Sequence, residues 1–226
     1  MSRQSNTSQA AISLPKGGGA IQGIGESFQV NAFSGTANHT VPIALSPGRN
    51  GFGPSLALEY SSGHGNGLFG LGWQLSLPRI TRKTDKGLPQ YGAQDVFVLS
   101  GAEDLVPVLK PVQRPDTGKT EWIPDTPLER DGHLIHFYRP RTEGQFARIE
   151  RWVSQASGET HWRTITRDNI TSVFGKTPMG RVFDPLNPAR VHEWLLEETW
   201  DGYGNHSRVE YAADDPALYT TSGNGG

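Results

Sequence analysis

From Ser27 onward the chain alternates apolar and polar residues with a period of two, in short bursts. Phe28, Val30 and Ala32 share one face, then Val41, Ile43 and Leu45, then Leu56, Leu58 and Tyr60. A strand sends successive side chains to opposite faces, so this period specifies half-buried β-strands rather than a helical stripe. The gaps hold turn formers: "SGTAN" in the first, and "SPGRNGFGP" in the second, where Asn50-Gly51 supplies the positive φ of a tight turn. Short strands joined in this way make antiparallel neighbours. The pattern continues through Trp73, Leu75 and Leu77 and then through residues 96–99, 105–109, 134–138, 146–153 and 162–166. Residues 191–200, "VHEWLLEETW", fit both periods. A strand is favoured because Trp194, Leu196 and Trp200 share a strand face and the turn "DGYGN" follows. With 28 Gly and 16 Pro, roughly a fifth of the residues punctuate rather than propagate structure, against about 12% in average usage. The expected fold class is all-β, built of antiparallel strands and hairpins with little helix.

Residues 1–13 are polar and aperiodic and are expected to form a flexible N-terminal tail. Residues 14–213 read as the β domain, and 214–226 as a flexible C-terminal end. The Pro-rich segment 110–127, "KPVQRPDTGKTEWIPDTP", is expected to be a surface loop or a link between two β-lobes, marking a sub-lobe boundary. The chain has no cysteine, which excludes disulfides, thiolate metal sites and a cysteine nucleophile together. A formal charge of -2 leaves no basic field for nucleic acid. No signal-peptide core opens the sequence, and no run approaches the ~20 apolar residues of a membrane span.

The motif that most invites a chemical reading is Gly65-x-Gly67-x-x-Gly70, directly after an expected strand. A dinucleotide fingerprint needs a helix next, because the helix N-terminus holds the pyrophosphate. Here "LGWQLSLPRITR" follows, with period two and Pro78. Gly63, Gly65, Gly67, Gly70 and Gly72, with Asn66, are therefore expected to form a tight corner leading into a buried Trp73, several of the glycines having positive φ and no cofactor lying against them. "GGGAIQGIGES" lacks the Gly-Lys-Ser/Thr ending of a phosphate loop. His192-Glu193 would begin a zinc-protease motif, but Leu196 occupies the second His position. His133 and His136 fall on opposite faces of a strand. No Gly-x-Ser-x-Gly elbow occurs. No catalytic residue, metal site or cofactor is expected. In the charge-dense "RPRTEGQFARIERW", Glu150 is expected to pair with arginines across a neighbouring strand, which favours an ion-pair network over an anion patch. The six tryptophans lie in different strands or loops and are expected mostly to fill the core rather than to form a glycan platform.

The stretch "FQVNAFSGTANHTVPIALSPGRNGFGPSLALEYSSGHGNGLFGLGWQLSLPRITRKTDKGLPQYGAQDVFVLSGAEDLVPV", with "HWRTITRDNITSVFG" and "EWLLEETWDGYGNHSRVEY", closely resembles the N-terminal region of the Salmonella virulence plasmid B protein (SpvB) family, shared with the B component of Tc insecticidal toxin complexes. Asp201-x-x-Gly204-Asn205 followed by Tyr211 also resembles one tyrosine-aspartate (YD, or RHS-type) repeat, with Trp200 where the repeat has Tyr. The resemblance implies a curved, RHS-like shell or a sandwich-type sheet arrangement. It implies a non-enzymatic structural role in a secreted bacterial toxin, contributing to the β-sheet wall that houses or carries a toxic effector. The implied partners are a Tc-type C component, other toxin subunits or a C-terminal toxin domain. The Glu-x-Glu or Gln-x-Glu pair of the family's actin ADP-ribosyltransferase half is absent from this sequence. The chain is expected to be a fragment or an unusually short member, made in the bacterial cytoplasm and exported without a Sec-type signal peptide. An alternative reading is a surface module that binds glycan or a host protein through exposed aromatics.

Overall fold

A computed structural model of the chain describes residues 27–31, 35–46, 48–67, 69–85, 87–92, 94–100, 103–141 and 146–212. The expected flexible segments 1–13 and 214–226 lie outside the described residues. Nineteen strands and two three-residue 3-10 turns, Arg49–Gly51 and Pro178–Gly180, make up the regular structure of these residues, and every described strand pairing is antiparallel. The all-β expectation holds, including 191–200, which lies in a 14-residue strand.

The chain divides into two compact units, the smaller comprising residues 1–44 and 57–75 and the larger 45–56 and 76–226. The smaller unit is built on a four-stranded sheet of β1 (Ser27–Asn31), β2 (Thr36–Ile43), β3 (Leu56–Ser61) and β6 (Trp73–Leu75), in that order. Between the last two runs a two-residue ladder, β4 (Asn66–Gly67) with β5 (Gly70–Leu71).

The larger unit begins with β7 (Arg79–Arg82), β8 (Phe97–Leu99) and β9 (Glu103–Pro107). The hairpin β10 (Leu109–Gln113) and β11 (Thr120–Pro124) follows, so the segment expected as a loop is a two-stranded ladder of five pairs. Then come β12 (Leu128–Arg130), β13 (His133–Pro140), β14 (Phe146–Ser154), β15 (Thr160–Thr166), β16 (Thr171–Phe174), β17 (Arg181–Asp184), β18 (Asn187–Trp200) and β19 (His206–Arg208). Eight of these close on themselves in the order β13, β14, β15, β16, β18, β7, β8, β9 and back to β13 through Tyr138↔Pro107, Arg139↔Val106 and Pro140↔Leu105. The curvature expected of the sheet thus goes to full closure, which removes the edges of the participating strands.

An eight-stranded barrel is just wide enough for side chains to fill, and the interior is a packed core. Ile80, Phe97, Leu105, Ile149, Phe174 and Leu196 surround Trp162 and Trp194, both 0% exposed. Burying each tryptophan withdraws roughly 150–250 Å², on the order of 4–6 kcal/mol of gross transfer free energy. Phe97 meets the two indoles edge-on, with ring centroids 4.8 and 5.8 Å away. A bulge between Val173 and Phe174 inserts Glu197 between the residues of β18 that pair with them. It lets both Leu196 and Thr199 face β16 partners and frees the Glu197 carboxylate to accept the Thr177 amide at 3.0 Å.

Candidate functional site

The glycine corner is held by backbone hydrogen bonds in the smaller unit. Ser61 N–H donates to Gly72 O (2.9 Å), Gly72 N–H to Gly65 O (2.9 Å), and Ser62 N–H to Ala37 O (3.0 Å). No helix follows Gly70: the chain turns back through Gly67↔Gly70 and Asn66↔Leu71 and enters β6. The amides of Ser61, Ser62, His64 and Gly72 are all taken up by backbone carbonyls. Gly70 (φ 97°) and Gly72 (φ 81°) have positive φ, whereas Gly63 and Gly65 do not. At Gly72 a Cβ would lie 2.5 Å from the Tyr60 ring and 2.9 Å from Ser61 O, so both backbone and space demand glycine. Trp73 pairs with Tyr60 across the strands, ring centroids 5.3 Å apart, with His39 edge-on at 6.2 Å. Trp73 is half-buried rather than fully buried as expected, because it covers one face of a four-stranded sheet and takes no part in the barrel core.

The second group of motif residues closes the β18–β19 hairpin in the larger unit. Asp201 Oδ1 accepts the amides of Tyr203 (2.8 Å) and Asn205 (3.0 Å), while Asn205 Nδ2 donates to Oδ2 (2.7 Å). These bonds, led by that from the Asn205 side chain, hold the Asp201 carboxyl below its ordinary pKa. Gly204 takes φ 84° within the turn. Beyond β19, Val209 N–H donates to Glu197 O (2.8 Å) and Tyr211 O–H to Leu196 O (2.7 Å). Burial, reinforced by Glu197 and Glu193, raises the Tyr211 phenol to about 12, so the donor stays protonated at neutral pH. Asp201 shapes the turn and Tyr211 ties the returning chain to β18; the glycine corner belongs to the other unit, and these are two separate structural devices.

A cavity of about 360 Å³ in the larger unit is lined by Phe52, Pro54, Leu77, Ile170, Leu196 and Val209, with Ser172, Thr199 and Glu198 supplying polarity. The Ser172 and Thr199 hydroxyls bond each other at 3.1 Å, and no histidine lines the cavity among the described residues. Glu150 is 3% exposed. It binds Arg148 (2.7 Å) two residues along its own strand and accepts the Trp152 indole N–H (2.8 Å), rather than pairing with arginines across a neighbouring strand. The expectation fails because same-face residues two apart on one strand reach the carboxylate before the cross-strand Arg163 does.

On the opposite face of β13, β14 and β15 from the core, Trp152 and His161 stack and His133 meets both edge-on, at centroid distances of 5.6 to 5.7 Å. Burial, then the proximity of His133, Arg181, Lys176 and Arg163, lowers His161 to about 4. His136 faces the other way, as the strand period requires. Inside the barrel, Arg82 donates from Nε to Val191 O (2.8 Å) and pairs with Asp95 (2.7 Å), its guanidinium 5.1 Å from the Phe97 ring centre and 5.5 Å from that of Trp194. Burial lowers its pKa, with Asp95 opposing. Sequence reasoning missed Arg82 because "RITR" after Pro78 carries no strand-like apolar run. Among the described residues no three His, Cys, Asp or Glu side chains gather as a metal site, and no helix is long and apolar enough to cross a membrane.

Comparison with known proteins agrees with this architecture. The mono(ADP-ribosyl)transferase SpvB of Salmonella choleraesuis (strain SC-B67) is 35% identical over 212 residues, 94% of this chain and 34% of the relative; the Salmonella dublin protein is 35% identical over 93% of the chain and 34% of the relative. The chain therefore spans about a third of the curated relatives it matches. The N-terminal domain of effector protein SpvB from Salmonella typhimurium strain LT2 superposes with a TM-score of 0.66 at 34% identity, covering 82% of this chain and 57% of that one. The TcdB2-TccC3 crystal structure gives 0.69 at 32% identity (92% of this chain, 10% of that one), and a Photorhabdus luminescens Tc holotoxin pore 0.70 at 32% (94% and 10%). The profile described as Salmonella virulence plasmid 65kDa B protein matches residues 31–224, and the chain belongs to that family.

Proposed function

We propose that this chain is a non-enzymatic structural module of a secreted bacterial toxin, contributing to the β-sheet wall that houses or carries a toxic effector. The observation that carries the reading is coverage: 92% of the chain aligns with a segment making up only 10% of the TcdB2-TccC3 chain. A closed, side-chain-filled barrel supports it, since such a unit offers rigid wall rather than a reactive cleft. The Asp201 turn and the Tyr211 tie support reading residues 201–211 as a unit of YD type. The partner is a Tc-type C component, another toxin subunit or a C-terminal toxin domain. Size-exclusion chromatography of the purified chain mixed with a C component tests this: co-elution is expected, and separate elution at micromolar concentration counts against it.

A second reading rests on Trp122, which is 62% exposed on the β10–β11 hairpin, facing the same way as Leu109 and Pro111. It makes this hairpin a recognition surface for glycan or host protein. Quenching of the Trp122 emission by a ligand, absent in Trp122→Ala, would favour it.

A further inference from the structure

We propose that the inner face of the barrel carries a binding site for a single carboxylate, centred on Arg151 and Trp162. These residues are direct cross-strand partners on β14 and β15, and His136 stands opposite Arg151 on β13, so all three share the inner face. The Arg151 guanidinium lies 5.3 Å from the Phe97 ring centre, which places it against the core, and Arg82 reaches the same ring at 5.1 Å.

The donors differ in how they are satisfied. Arg82 has Asp95 and the Val191 carbonyl, and Trp194 donates its indole N–H to Thr160 O at 2.8 Å. Among the described residues Arg151 Nε and Trp162 Nε1, like Arg163 Nε on the outer face, are buried without an acceptor, and Trp162 is 0% exposed. A buried donor left unmade costs about 1–3 kcal/mol, more when charged. The two side chains spring from directly paired positions, and no described residue supplies either donor with an acceptor.

Charge decides which acceptor. Asp95 offsets Arg82, and burial beside Arg151 lowers the pKa of His136, keeping it neutral at pH 7. One positive charge, that of Arg151, is left over and calls for a monoanion. The flat guanidinium fork matches a carboxylate. The aromatic walls of Phe97, Tyr138 and Trp162 disfavour an anion as strongly hydrated as phosphate. Arg151 itself is only half-buried, which gives the carboxylate an approach from solvent.

The test is titration of the 15N-labelled chain at constant ionic strength with sodium acetate, with a capped tripeptide bearing one aspartate, and with inorganic phosphate. The Trp162 indole N–H resonance, assigned with Trp162→Phe, is expected to shift and saturate in the millimolar range, with a matching rise in melting midpoint. Saturation by acetate identifies a free acid as the source, and saturation by the tripeptide alone identifies a peptide side chain. Arg151→Met, which keeps the stem and removes the charge, is expected to abolish the shift and to melt no lower than the parent in acetate-free buffer. Arg151→Lys, which keeps the charge without the fork, is expected to weaken binding about tenfold. The proposal is overturned if neither carboxylate moves the resonance, if phosphate moves it equally, or if the shift survives Arg151→Met.

Discussion

In the barrel, Trp162 and Trp194 are withdrawn completely from solvent, whereas in the four-stranded sheet Trp73, set in an equally regular alternation, remains half-buried. Gly72 is the one buried residue among the described residues of the smaller unit whose exposure is known, while the larger unit buries a contiguous aromatic and aliphatic core. Both regions are written in the same period-two pattern, so the pattern reports the face a side chain takes and not the depth it reaches. Depth comes from closure. When β9 meets β13, every inward position gains neighbours from across the ring, and the same alternation that half-covers a sheet fills a core.

The difference can be broken most directly at Trp194. Trp194→Ala should cost about 3–5 kcal/mol by chemical denaturation, because a filled ring cannot collapse around the vacated volume. Gly72→Ala comes next, at about 2–4 kcal/mol, since the new Cβ must displace the Tyr60 ring at a positive φ; Gly70→Ala, with φ 97° but nothing within 4 Å, should cost only about 1 kcal/mol. Equal losses at the two glycines would show that backbone conformation alone sets the requirement.

Acid offers a smaller perturbation confined to the barrel. Burial first, then the neighbouring cations, lowers the folded pKa of His161 to about 4 from its ordinary 6.5, so the unfolded chain binds more protons between those values. Stability from this group is complete above about pH 6.5 and is lost as pH falls toward 4. Its protonation is opposed by His133, Arg163, Lys176 and Arg181, while Glu159, paired with Arg181 at 3.1 Å, gives partial relief. The loss should be on the order of 1 to 2 kcal/mol after allowance for partial exposure. Melting curves of His161→Gln at pH 7 and 4.5 should show a smaller difference than the parent's; an unchanged difference would assign the acid sensitivity elsewhere. Among the tryptophans the smaller effect is expected from Trp73→Ala, about 1–2 kcal/mol, in keeping with half-burial. A loss as large as that at Trp194 would erase the distinction between the regions.

Much of the fold was legible in the residues. The alternation gave the all-β class, the turn after Trp200 resolved β18, and the missing helix after Gly70 converted a nucleotide-like motif into a corner. What escaped is non-local or chemically disguised. Residues 79–82 form a barrel strand whose inward Arg82 is tolerable only because Asp95 and the Val191 carbonyl receive it, and neither is near it in sequence. The prolines of 110–127 pointed to a loop, yet a two-stranded hairpin can place Pro111 and Pro124 where their missing N–H groups leave its ladder standing. Pairing of 105–107 with 138–140 has no local signature at all. At the candidate sites, the Asx-type turn at Asp201 could be read from its spacing. The unsatisfied Arg151 could not, because a charge in a dense cluster ordinarily finds a partner.

The pairing of Thr81 with Glu193 joins strands more than a hundred residues apart, and this sets the order in which the molecule can be built. A ribosome delivers β7 long before β18, so the ring stays open until residues 187–200 have been made. Until β18 arrives, β7 and β16 each present an unsatisfied edge able to capture another chain. Late, long-range closure of this kind folds on the slow, millisecond-to-second end of the scale. Closure of the ring therefore waits on residues 187–200: the facing edges of β7 and β16 are paired only once β18 has emerged between them.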